Sequence, residues 1–328
     1  MGARAPVHRT ALKGLRGIFA TGTALACFAL AAAPNSPGGA AGTRGGISPG
    51  AFYLPYQFSS FADDTALYAN AYAAAGSRAR DTCEGGTKCC TRAAGDGSVR
   101  AGTVSHHLFI RELIARYFSE LARRVHPETI ILLGPNHHAR GHSPIALSAL
   151  RWRTPFGFVE PDIPRILQIT RTGLARIEEE PFVHEHSIGA LVPFIRRTFP
   201  GAEIVPIIFK KDADRGTCVE LARTIAQGMD GALVLASLDF SHYKTSREAE
   251  LEDRASLAVI RSLGSDRVDD AYVDSRPALL TLMSICRIIG AGSVEVVEHT
   301  NSGILAHDPA VPCTSYINTF IEKAEAGK

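Results

Sequence analysis

The residues of this chain that could do chemistry fall into short polar clusters. Gly134-Pro135-Asn136-His137-His138 closes one apolar run, and Asp239-Phe240-Ser241-His242-Tyr243 closes another. Ser105-His106-His107 and His184-Glu185-His186-Ser187 each lead into a helical pattern, and Cys286 lies inside a late one. Imidazole and thiolate are good ligands for iron, copper or zinc, and a metal site draws three or four such groups from separate loops. Histidines beyond the ligand set orient ligands or transfer protons. Plainer roles compete with these. Cys286 shares helical spacing with Leu279, Leu282 and Met283, as a buried core cysteine would. Asp239 and His242 could cap the loop after their strand. His142, His299 and His307 read as surface or loop histidines. A Ser/His/Asp triad on Ser241 lacks the Gly-x-Ser-x-Gly elbow, and a zinc hydrolase lacks a His-Glu-x-x-His signature.

The elements that must position these clusters alternate. Thr129–Leu133, Glu203–Phe209 and Ala232–Ser237 are continuous apolar runs, as buried parallel strands are; Val294–Val297 is similar, and Tyr316–Phe320 reads as an edge strand. Helical spacing covers 64–75, 110–124, 187–198, 214–229, 246–263 and 276–289, the last with Pro277 at its start and Gly290 at its stop. Ser105 is placed to cap the 107–124 helix, and Gly76–Gly102 reads as a long loop. This alternation predicts an α/β fold, a single domain with a mainly parallel sheet flanked by helices. Ligands of such sheets collect at the carboxyl ends of the strands, so the two strand-end clusters share one rim.

The N-terminal end has a different composition. Residues 1–17 hold Arg4, Arg9, Lys13 and Arg16 without an acid, then Ile18–Ala33 is apolar except for Thr21 and Thr23. This is the layout of a signal peptide or N-terminal anchor over 1–33, followed by a Gly/Pro/Ser-rich linker over 34–50 and a folded domain over 51–322. The expectation is an exported protein, periplasmic or extracellular, that meets a membrane only through this segment if it stays uncleaved. Export permits a disulfide among Cys83, Cys89 and Cys90 in the 76–102 loop, where a zinc knuckle would need a Cys-x-x-Cys pair that is not there. The formal charge of +2, from 35 basic and 33 acidic residues, becomes −2 once residues 1–33 are removed. Neither value fits a nucleic-acid binder.

Five motifs, in order, carry a resemblance: Gly134-Pro135-Asn136-His137-His138, Trp152-Arg153-Thr154-Pro155, Glu185-His186-Ser187-Ile188, Asp239-Phe240-Ser241-His242-Tyr243 and Asn301-Ser302-Gly303. Over residues 50–322 the chain resembles the Memo family, which includes the AmmeMemoRadiSam system protein B. The resemblance implies a fold similar to class III extradiol dioxygenases, which use non-haem iron. It also implies two histidines and a cysteine as metal ligands, here His106 (with His107 as the alternative), His137 and Cys286. The family's glycine after the cysteine is replaced by Arg287, and its Pro-His-Ala-Gly-Tyr motif is reduced to Ser105-His106-His107-Leu108-Phe109. His186, Asp239 and His242 would line the same pocket, with His186 or His242 as acid/base. The expected cofactor is iron or copper, with zinc less suited, and the expected partners are a small molecule or peptide and a redox partner. A protein that keeps the dioxygenase shape but only binds a peptide or a metal is the alternative.

Overall fold

The apolar runs of the sequence become the central strands of the computed structural model, which describes residues 58–84 and 99–324. The expected signal segment, the linker, Cys89 and Cys90 lie outside the described residues. In chain order come β1 (Phe58–Ser59), α1 (Thr65–Glu84), β2 (Val99–Val104), α2 (Arg111–Leu121), β3 (Thr129–Pro135) and β4 (Ile145–Leu147). There follow β5 (Trp152–Thr154), β6 (Gly157–Val159), α3 (Ile163–Thr170), β7 (Arg176–Ile177), α4 (His186–Gly189), α5 (Val192–Thr198) and β8 (Glu203–Phe209). The rest is α6 (Arg215–Ala226), β9 (Ala232–Ser237), β10 (Phe240–Lys244), α7 (Ser246–Ser262), α8 (Arg276–Ile288), β11 (Ala291–Asn301), α9 (Ser302–Leu305) and β12 (Cys313–Lys323).

Strands β2, β9, β3 and β8 are adjacent and parallel, forming the centre of a mixed sheet. Their side chains alternate between two apolar layers. Ile131, Leu133, Val205, Ile207 and Val234 pack on the face covered by α6 and α8, whereas Ile130, Leu132, Ile204, Ile208 and Leu233 pack on the face covered by α2 and α5. Both faces are therefore buried, which is why the runs are continuous and not alternating. Each such side chain contributes about 1.5–3 kcal/mol on burial. β4 pairs antiparallel to β8, and β1, β5 and β6 form a separate small sheet. No helix among the described residues is long and apolar enough to cross a membrane.

Four expectations are corrected. The helix expected over 64–75 runs on through Gly76 to Glu84, and β2 emerges from the end of the expected loop. The pattern at 187–198 is two helices: Pro193 has no N–H for the Gly189 carbonyl, which instead accepts the backbone N–H of Phe61 at 2.9 Å. Ser105 does not cap α2; its N–H donates to Asn318 Oδ1 at 2.8 Å, and a short 3-10 turn at Leu108–Ile110 leads into the helix. Tyr316–Phe320 is no edge, because β12 pairs antiparallel with β11, β2 and β10.

Candidate metal centre

The carboxyl ends of three neighbouring parallel strands supply the site: β2 runs into His106, β3 into His137 and β9 into Asp239. His106 is buried and turned inward, while His107 is exposed and its Nδ1 meets Tyr316 Oη at 2.7 Å. The Nδ1 of His106 lies 3.0 Å from Ser237 Oγ, whose own hydroxyl donates to the Ser187 carbonyl at 2.6 Å. A hydroxyl has one proton, so Ser237 accepts from His106 Nδ1–H and the lone pair of Nε2 faces the interior.

His137 is fixed in the same sense. Its Nδ1 lies 2.7 Å from Glu185 Oε1, and its backbone N–H donates to Glu185 Oε2 at 2.8 Å. The carboxylate only accepts, so the Nδ1 proton is committed and Nε2 is the ring nitrogen left to face an ion. Glu185 also caps α4 by accepting the N–H of Ser187 at 2.9 Å. Burial alone would raise its pKa, but the hydrogen bonds and charge of His137 and the backbone N–H groups hold it at about 2.

His186, the first residue of α4, stacks on His137 with centroids 4.2 Å apart and rings 17° from parallel. The ring of His106 stands edge-on to both, at 80° to His137 and 78° to His186. His106, His137 and His186 each offer a nitrogen within 4.8 Å of the others, a group that could hold a metal ion. Burial lowers the pKa values of His106 and His186, which keeps both rings neutral and able to ligate or accept a proton.

Two carboxyls complete the cluster. Asp239 Oδ2 and Asp274 Oδ2 each lie 3.5 Å from His106 Nε2, and Asp274 Oδ2 is 3.8 Å from His137 Nε2. Burial raises the pKa of both. The Asp239 N–H donates to Asp274 Oδ2 at 3.1 Å, and the Asp274 N–H donates to the Asp239 carbonyl at 3.0 Å. Residues 272–274 thus run as a short antiparallel partner of 239–241, with Phe240 bridged to Val273. A cavity of about 380 Å³ opens beside the cluster, lined among others by Asp274, His242, Lys211 and Arg276. Burial also lowers the pKa of His242. A larger cavity of about 440 Å³, lined by His142 and Asp214, touches none of the converging groups.

Among the expected residues, the structure brings His106, His137, His186 and Asp239 together and sets His242 on the adjoining cavity. Cys286 is the correction: it is not part of the metal-capable group. Its helix, α8, buries it fully in the apolar layer with Leu279, Leu282 and Met283, and burial pushes its thiol up to about 12. Asp274 and the orienting roles of Glu185 and Ser237 were not foreseen. Glu185 stands beside His186 in a quoted cluster, but its partner comes from another loop, and Asp274 looks like any polar residue before a helix cap. Ser241, Asp253 and His299 do meet, yet the carboxylate of Asp253 lies between the other two, at 2.7 Å from Ser241 Oγ and 2.9 Å from His299 Nε2. A nucleophilic triad needs the histidine in the middle.

Two residues at the ends of the motifs carry strained backbone: Ala139, just after His138, with φ 49°, and Tyr243, the last of its motif, with φ 60°. Such conformations persist where the surroundings impose them, as they do around functional loops.

Comparison with known proteins gives the family of the chain. Residues 103–316 match the Memo-like protein family. A MEMO1 family protein of Caldivirga maquilingensis is 29% identical over 223 residues, 63% of this chain and 74% of that one. One from Methanococcoides burtonii is 28% identical over 227 residues, 66% of this chain and 80% of that one. A crystal structure of an uncharacterized protein from Escherichia coli K12 aligns with TM-score 0.42 and 13% identity, covering 68% of this chain and 99% of that one, too remote to carry an argument. The match to the family over most of the folded residues makes this chain a member of the Memo-like proteins.

Proposed function

We propose that the protein is a metal-binding redox protein of the AmmeMemoRadiSam system protein B type, holding iron or copper in preference to zinc in a dioxygenase-like pocket. The observation that carries this reading is the paired tautomer: Ser237 and Glu185 take the Nδ1 protons of His106 and His137, leaving two inward-facing Nε2 lone pairs. The donor set fits a transition metal, since imidazoles oriented through Nδ1, with carboxyls beside them, match its ligand preferences. When bound, such a metal supplies redox and Lewis-acid chemistry.

The remaining residues serve a small molecule. His242 at the wall of the cavity and His186 within the histidine cluster, both kept neutral by burial, accept or return a proton. Lys211 and Arg276 give the cavity a cationic side that suits a ligand with an anionic group. The basic and apolar N-terminal sequence supports export, and a redox partner outside the cytoplasm would follow from it; cell fractionation of tagged protein tests this.

The test of function is metal content by mass spectrometry on the purified full chain, with oxygen uptake on catechol-type substrates. Iron-dependent uptake that vanishes in His137→Ala supports the enzyme. Tight metal without uptake supports a binding protein, and metal content unchanged in a His106→Ala, His137→Ala double variant overturns the metal centre.

A further inference from the structure

We propose that Asp274 is the third protein ligand of the centre, with His106 and His137, and that His186 stands beside the ion without ligating it. The inference rests on the metal centre proposed above and assigns its ligands.

Distances favour Asp274. Its Oδ2 is 3.5 Å from His106 Nε2 and 3.8 Å from His137 Nε2. Two donors at about 2.1 Å from one ion stand about 3.0 Å apart at a right angle and about 3.4 Å apart at a tetrahedral angle. The observed gaps close to coordination with shifts of a few tenths of an ångström. Asp239 matches the first distance and has no counterpart to the second. The other oxygen of Asp274, Oδ1, is buried without a hydrogen-bond partner among the described residues. An unpaired buried carboxyl oxygen is costly, and an ion held through both oxygens of this carboxylate would be its partner.

Ring geometry argues against His186. An imidazole binds a metal close to its own ring plane. The rings of His137 and His186 lie face to face and nearly parallel, so an ion in the plane of one sits above the face of the other. The rings of His106 and His137 are close to perpendicular, and their planes meet. His137 is the ring of the stacked pair whose second nitrogen is tied down, at 2.7 Å from Glu185; the corresponding approach of His186 Nδ1 is 3.8 Å. His186 is therefore left as a neutral base beside the ion.

The chemical consequence is a centre of two imidazoles and one carboxylate. That set is typical of non-haem iron(II), whereas a thiolate such as Cys286 would favour copper(I). The structure thus points to iron.

The experiment loads the metal-free full chain anaerobically with iron(II), cobalt(II) or copper(I) and measures affinities, with circular dichroism as the folding control. Asp274→Asn is expected to weaken iron(II) and cobalt(II) by about tenfold or more, while His186→Gln and Cys286→Ala change them by less than about threefold. The cobalt(II) protein should show no thiolate-to-cobalt absorption, and Asp274→Cys should acquire it. That gain keeps the proposal testable even if Asp274→Asn folds poorly. Asp274→Asn loading as tightly as wild type, or Asp274→Cys loading cobalt without the new band, overturns the assignment and leaves the metal centre standing. A wild-type chain that takes up none of the three ions overturns the centre itself.

Discussion

Glu185 grips His137 twice, its Oε1 2.7 Å from the imidazole Nδ1 and its Oε2 accepting the backbone N–H of the same residue at 2.8 Å. Ring and main chain are fixed by one carboxylate that is itself locked on α4. Replacing Glu185 by Gln supplies one acceptor but turns the other into a donor facing a donor. Metal affinity measured by competition with a chelator should fall about 10- to 100-fold. The pH dependence has a definite sign. The folded pKa of about 2 lies below the usual 4.5, so the carboxylate contributes stability above 4.5 that is lost as pH falls toward 2. Glu185→Gln should lose that part of the acid transition in a urea titration.

His106 acts in a higher window. Burial holds its pKa well below 6.5, so in metal-free protein the unfolded chain takes up this proton first as pH drops. Stability is complete above 6.5 and declines below it, by up to about 1.4 kcal/mol per pH unit from this residue. His106→Gln should show a shallower decline between about pH 7 and about pH 5 when chemical denaturation is followed in metal-free protein.

Away from the site, Asp162 ties α3 to β3. It caps α3 by accepting the N–H of Arg165 at 3.0 Å, and it accepts the Thr129 hydroxyl of β3 at 2.7 Å and the Arg165 guanidinium at 2.5 Å. Burial opposes ionisation here, but these donors hold the pKa below 3.8. The contribution is present above 3.8 and lost as pH falls through the lowered value. Asp162→Ala should cost about 1–3 kcal/mol in chemical denaturation at neutral pH and leave metal affinity unchanged.

Cys286 should be chemically silent in the folded protein. With no exposed surface and a thiol pushed up to about 12, it offers almost no thiolate to an alkylating reagent. Peptide mapping should find it unmodified in native protein and fully modified in denaturant. Rapid modification of the native form would contradict its burial.

The legible parts of the fold were those written in side chains. β3, β8 and β9 stand out because burial on both faces demands unbroken apolar runs, and α7 and α8 because their caps and spacing agree. β2 did not stand out, since Val99-Arg100-Ala101-Gly102-Thr103-Val104 is packed by backbone. A Cβ on Gly102 would collide with the Thr319 carbonyl and the Tyr117 hydroxyl. The histidines of the site could be read from motifs at strand ends. Asp274 could not, because a long-range bridge between Val273 and Phe240 puts it there and no local pattern records that pairing.

The pairing of β12 with β2 bears on the order of events in synthesis. Ser105, next to His106, is held by Asn318, 213 positions later in the chain, and Thr103 donates to the Ile317 carbonyl at 2.8 Å. The loop that carries the first inward histidine is held by β9 on one side, and its anchors on the other side come only once β12 has been made and docked. Closing so long a loop is slow compared with forming local structure. A chain still emerging from the ribosome would lack the β12 contacts, so the loop bearing His106 would be fully fixed only after β12 docks.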